Sequence, residues 1–139
     1  MKYGNLIVEV RESVLLKRLL NVSGYYQDVV TKNSLRKLAA ELSTATIAIE
    51  EEMPADVIRI NSIVTVAADK NWEKQFQIVL PTERDISRNK ISVLTPMGAA
   101  LIGYAQGDEV IWDFPNGQKV LQIKKVQREN NAIDLDILL

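Results

Sequence analysis

Three groups of carboxylates carry most of the reactive potential of this sequence: Asp134 and Asp136 in "AIDLDILL", the run Glu50–Glu52, and Asp28 in the connection "NVSGYYQDVVTKNS". Asp134 and Asp136 alternate with Ile133, Leu135 and Ile137, so on a strand they share one face and could act as an acid–base pair or hold a metal. A chain tail is a poor rigid support for either task. Glu50–Glu52 could meet a metal or a basic partner, although runs of this kind are more often solvated linkers. Asp28 is a single acid with Lys32 nearby. Ser23-Gly24 has no histidine to activate it, because the chain contains no histidine at all. It contains no cysteine either, so thiolate and disulfide chemistry are excluded. Lys32, Arg36 and Lys37 could form a basic face for nucleic acid or an acidic protein, or be the wet side of a helix. Tyr25 and Tyr26 could anchor an interface or pack inward and shape a turn.

The 139 residues suffice for one domain, or for one small domain with an appendage. Seventeen basic and eighteen acidic residues leave a net charge of -1, too balanced for a protein that coats nucleic acid. "MKYGNLIVEVRES" lacks the apolar core and cleavage site of a signal peptide. No apolar run is long enough to span a bilayer. The expectation is a cytoplasmic monomer with no membrane contact and no cofactor.

Hydrophobic spacing supplies the elements. "NLIVEV", Asn5 to Val10, reads as a short strand or a lead-in. Leu15, Leu16, Leu19 and Leu20 recur at helical spacing over Ser13–Leu20. A second helix is expected from Asn33 or Ser34, with Leu35, Leu38, Ala39, Leu42 and Ala45 on one face. Two such helices joined by "NVSGYYQD" make a hairpin. Pro54 marks a boundary, since it biases Met53 away from helical angles. Beyond it "DVIRINSIVTVAAD" is rich in β-branched residues, "DKN" is turn-like, and "WEKQFQIVL" completes a hairpin. "PTERDISRNK" is a polar loop and "ISVLT" a third strand. Thr95 can cap a short helix with Pro96 in its first position, Gly103 can end it, and Gly107-Asp108 can turn the chain. "EVIWDFP" and "QKVLQIKKV" flank Asn116-Gly117, a type I′ hairpin signal. Trp72, Phe76, Trp112 and Phe114 sit at strand positions suited to a core. The tail could add a further strand or dock on the hairpin. The class is α+β, with a short antiparallel helical hairpin over residues 1–52 and an antiparallel sheet domain with one short helix over residues 53–139.

The stretch from Ser92 to Val126 resembles the C-terminal domain of the bacterial GreA/GreB transcription elongation factors. The matching positions are Thr95, Pro96, Gly98, Ala100, Leu101, Ile102, Gly103, Gly107, Asp108, Val110, Pro115, Gly117, Ile123 and Val126. "EMPADVIRINSIVTV" and "VRESVLLKRLL" are similar to the Rnk-like (regulator of nucleoside diphosphate kinase) members, which look like Gre factors with a shortened hairpin. The resemblance implies an FKBP-like C-terminal domain. It also implies a partner, RNA polymerase, gripped outside its secondary channel through the strand–helix junction at Ser92, Thr95, Pro96, Met97 and Gly98. In that reading Ser92, Thr95, Met97 and Gly98 are exposed, and Gly98 lets the partner's backbone come close. DNA or RNA would be near only indirectly.

Gre factors place an acidic hairpin tip beside the polymerase's own magnesium. Here the tip offers Tyr25, Tyr26 and the single acid Asp28. A helix of about 15 residues reaches only roughly 22 Å, and a Gre hairpin is markedly longer. Gre domains also usually carry Gly-Lys where this chain has Gly103-Tyr104. The expected function is therefore that of a non-catalytic regulator. It binds polymerase near the secondary channel and competes with Gre factors without stimulating transcript cleavage. A Gre-like cleavage factor is the alternative. A peptidyl-prolyl isomerase is a further one, disfavoured because aromatic residues are only 6% of the chain and fold alone does not confer that activity.

Overall fold

A computed structural model describes residues 1–22, 29–69, 71–114 and 117–128, with the side chain of Phe114 left aside. Strand β1 (Ile7–Glu9) leads straight into helix α1 (Val10–Val22). The Glu9 carboxylate caps that helix: Oε2 accepts the backbone N–H groups of Arg11 and Glu12, each at 3.0 Å. Helix α2 (Val29–Ser43) buries Thr31, Leu35, Leu38 and Leu42. It begins earlier than the expected Asn33 or Ser34. Thr31 and Leu35 stand one turn apart on the buried stripe, and the helix extends to place both. Ala45, expected on the same helix, lies past its end and packs on the core from outside. Strand β2 (Thr46–Ala48), not foreseen from the sequence, pairs in parallel with β1, Val8 opposite Ile47.

Five strands form the main sheet in the order β5-β4-β3-β7-β6. They are β3 (Ser62–Ala68), β4 (Trp72–Val79), β5 (Lys90–Ser92), β6 (Glu109–Phe114) and β7 (Gly117–Arg128). All neighbours are antiparallel except β4 and β5, which run parallel. The sheet is otherwise antiparallel, as expected, and this one parallel pair was not foreseen. Two 3₁₀ turns, Pro81–Glu83 and Ile86–Arg88, carry the chain back before β5 begins. A second correction concerns "DVIRIN". Val57, Ile58 and Ile60 are buried as a strand would bury them, but Asn61 has φ +76° and the ladder starts only at Ser62. Ile58 instead bonds the chain after α3, donating to Tyr104 O at 2.7 Å and accepting from Gly103 N–H at 2.9 Å.

Helix α3 (Pro96–Leu101) has the foreseen Thr95 cap and Pro96 start. Gly103 follows at φ +84°, a conformation that favours glycine, and a Cβ there would press on the Leu6 side chain at 3.1 Å. Asn116 of the expected turn, Lys70 of "DKN" and the tail from residue 129, with Asp134 and Asp136, lie outside the described residues. One apolar cluster runs from Leu6 and Val8 through Leu15, Leu16, Leu35, Leu38 and Leu42 into the sheet at Val64, Phe76, Ile78 and Ile123. The helices are thus seated on the sheet domain by shared core.

Candidate functional site

The β5–α3 junction is built from three small residues. Ser92 Oγ accepts the Leu94 N–H at 3.0 Å, and Ser92 O accepts both the Thr95 N–H at 3.0 Å and the Thr95 hydroxyl at 2.6 Å. Thr95 Oγ1 in turn accepts the Gly98 N–H at 3.1 Å. Satisfying these groups turns Ser92 and Gly98 inward. Both are buried, so their expected exposure is corrected. A Cβ on Gly98 would lie 2.4 Å from Ser92 O, so this glycine is required by the chain's own packing. Thr95, Pro96 and Met97 remain half-exposed and form the outer step of the junction. The capping pair Thr95-Pro96 was itself the sequence signal that the Thr95 hydroxyl would face the helix.

Behind the junction, Gly107 (φ +93°) turns the chain and Asp108 braces it. Asp108 Oδ2 accepts the Ala105 N–H at 2.9 Å and Oδ1 accepts the Lys2 N–H at 2.5 Å. Asp108 is buried, so the Gly-Asp motif serves the fold. Tyr104 is buried too, and its hydroxyl donates to Glu41 Oε2 on α2 at 2.7 Å. Burial, then the bond to Glu41, pushes its pKa well above the ordinary tyrosine value. Tyr104 therefore ties α2 to the body.

A charged clamp at the base of the helices was not legible in the sequence. Arg59 Nε donates to Glu12 Oε2 at 2.8 Å, and Glu12 Oε1 accepts the Ile60 N–H at 3.0 Å. Arg59 also donates to Glu50, from Nη2 to Oε1 at 3.0 Å and from Nη1 to Oε2 at 2.5 Å. Arg128 stands 3.7 Å from Glu50. Burial alone would lower the Arg59 pKa, but the bonds to Glu50 and Glu12 prevail and raise it. Glu50 is held below the usual carboxylate range, chiefly by its bond from Arg59. For Glu9, burial works upward, and the amides of Glu12 and Arg11 together with the Arg11 guanidinium outweigh it, so its pKa is lowered. Glu50, Glu51 and Glu52 are all exposed, as a solvated run would be, but Glu50 is engaged by Arg59 and Arg128.

Beside α3 a groove opens against α2. Val30, Ser34 and Lys37 form one wall, and Ala100, Ile111 and Trp112 form the other. Trp112, expected in the core, is half-exposed here because β6 is an edge strand. Phe76 is in the core and Trp72 packs on its flank. Lys32, Arg36 and Lys37 are exposed along α2. Tyr25, Tyr26 and Asp28 lie outside the described residues. Among the described residues no group of three or more acidic side chains is placed to hold a metal ion, and no helix is long and apolar enough to cross a membrane.

Comparison with known proteins matches residues 53–128 to the family "Transcription elongation factor, GreA/GreB, C-term". A regulator of nucleoside diphosphate kinase from Escherichia coli (strain K12) is 38% identical over 81 residues, 58% of this chain and 60% of the relative. The match thus spans less than two thirds of that relative's length. The transcription elongation factor GreA of Roseiflexus castenholzii is 33% identical over 114 residues, 78% of this chain and 73% of the relative. In three dimensions the chain is similar to a GreA/GreB elongation factor from Nitrosomonas europaea. That likeness has a TM-score of 0.72 and 31% identity, over 89% of this chain and 98% of that one. With the capped β5–α3 junction, the Gly107-Asp108 turn and the helices ahead of the sheet all in place, this chain belongs to the GreA/GreB transcription elongation factor family.

Proposed function

We propose that this protein is a non-catalytic regulator of transcription that binds RNA polymerase near its secondary channel as a monomer in the cytoplasm. In this reading residues 53–139 grip the polymerase through Thr95, Pro96 and Met97, and residues 1–52 form a short helical appendage. It competes with Gre factors for the same place and does not stimulate transcript cleavage. Family membership supports the partner. The observation that carries the rest is the seating of α2. At about 1.5 Å per residue its 15 residues span roughly 22 Å, and from Val30 to Lys37 they lie along the groove against Ala100, Ile111 and Trp112. Leu35, Leu38 and Leu42 are buried in the shared core while Val29 and Val30 are exposed, so only the roughly 9 Å from Val29 to Ser34 is left to project. The connection contributes one acid, Asp28, where a metal-positioning tip needs several oxygens.

The test is a backtracked elongation complex mixed with excess protein under conditions in which a Gre factor cleaves the transcript. The expected outcome is no cleavage, followed by slower cleavage when the Gre factor is added. Cleavage that vanishes on Asp28→Asn would overturn the non-catalytic reading.

A further inference from the structure

We propose that the free edge of β6 takes up an extended segment of a partner protein as an added strand. This segment carries basic residues opposite Glu109 and Asp113 and an apolar residue between them. The proposal does not depend on the polymerase reading. β6 is the last strand of the sheet and pairs with β7 alone. Just ahead of that ladder, Ile123 N–H donates to Asp108 O at 3.0 Å. Alternation along an antiparallel pair then gives the N–H and C=O groups of Val110, Trp112 and Phe114 to β7 and turns those of Glu109, Ile111 and Asp113 to the open edge. Among the described residues, no backbone bond from outside the ladder reaches these three. Strand addition draws its affinity from main-chain groups left open in this way, and its specificity from alternate side chains.

The side chains set the occupant's chemistry. Glu109, Ile111 and Asp113 share one face of the strand. Ile111 is 64% exposed and stands opposite Val120, itself 48% exposed. The two acids are exposed on either side of Ile111, and among the described residues neither has an ion-pair partner. Of the β7 lysines, Lys119 is held by Asp69, and Lys124 and Lys125 lie beyond the ladder with β6, which ends at Gln122. Charge alone can guard a strand edge, but an exposed isoleucine–valine pair between the acids is more than a guard requires. The opposite face of β6 turns Trp112 to the groove, where Val30, Ser34 and Lys37 form the far wall. Lys37 disfavours a base on that side, so the alternate residues of the added strand are uncharged. A second copy is a poor occupant. In the register centred on Ile111 it would set Glu109 against Asp113, and like charges directly opposite are destabilising. The tail sequence, with Asp134 and Asp136, and a phosphate backbone carry the same unfavourable sign.

The experiment titrates the full chain with a synthetic peptide in which lysines flank a central valine at alternate positions and valine and threonine fill the rest. The same peptide with glutamates in place of the lysines is the comparison. Calorimetry reads affinity, and amide hydrogen exchange locates the site. The lysine peptide is expected to bind about 10-fold more tightly than the glutamate peptide, less so at high salt, and to protect the amide of Asp113 and that of Ile111. Ile111→Pro removes an outward N–H and leaves the bonds to β7 in place, so it is expected to weaken binding about 10-fold. Glu109→Lys with Asp113→Lys keeps the backbone and is expected to exchange the preference between the two peptides. If Ile111→Pro also lowers the melting temperature, the charge-exchanged variant decides. Equal affinity for the two peptides, or a lysine preference that survives the charge exchange, would overturn the proposal. Protection confined to elements other than β6, no binding of either peptide at millimolar concentration, or a dimer of the chain joined through β6 would overturn it as well.

Discussion

Gly98 and Met97 are neighbours with opposite duties, and substitution separates them. A methyl group on Gly98 would sit 2.4 Å from a backbone oxygen, so Gly98→Ala forces the turn apart and is expected to cost on the order of 1–3 kcal/mol. Chemical denaturation checks this, and an unchanged midpoint would show that the turn yields freely. Met97 is half-exposed. Met97 also packs on the core, so Met97→Gln is expected to lower the melting temperature modestly and polymerase affinity by roughly 10-fold. A loss in melting temperature without a loss in affinity would leave Met97 only its packing role. Tyr104→Phe removes the hydroxyl bond to Glu41 and leaves the ring, so about 1 kcal/mol of stability should go with it.

At the scale of elements, the clamp between α1 and the segment before β3 is the most consequential contact. Glu12 and Arg59 are 3% and 7% exposed, so breaking the pair strands a buried charge. Arg59→Met is expected to destabilise the chain by about 3–5 kcal/mol, and adding Glu12→Gln should recover part of that loss. Purely additive effects would mean that the two side chains are not coupled. The pH dependence has a definite sign. Glu9 and Glu50 have folded pKa values below the ordinary 4.5, so the unfolded chain binds more protons than the folded one in acid. Their contribution is present above that value and is lost as pH falls through the lowered folded values. Glu9→Gln should flatten the acid limb of a stability–pH curve while leaving its slope at neutral pH unchanged.

For the whole molecule, the shared core decides how the helices are used. Leu15, Leu16, Leu35, Leu38 and Leu42 belong to the same cluster as Val64, Phe76 and Ile123, and Glu41 bonds Tyr104 across the join. In the proposed reading, helices seated in this way act beside the polymerase by occupancy. Catalysis by positioning needs a reacting group within about 1 Å of its place, so the proposal expects no cleavage from a connection whose sequence carries one acid, Asp28. Titrating this protein against a fixed amount of Gre factor should therefore lower the cleavage rate without changing the cleavage products.

The class of fold, the order of most elements and the family motif could all be read from the sequence. Each depends on local spacing: leucines at helical intervals, the Thr95-Pro96 cap, and glycines where φ is positive. The short β1–β2 pairing, the parallel return of β5 and the irregular stretch before Ser62 could not. They depend on which distant segment supplies a hydrogen-bond partner, as Tyr104 does for Ile58. The inward turn of Ser92 and Gly98, the Glu12–Arg59–Glu50 clamp and the open edge of β6 belong to the same group. Burial is a property of what lies opposite a residue. The sequence names the residue, and only the tertiary structure decides what faces it.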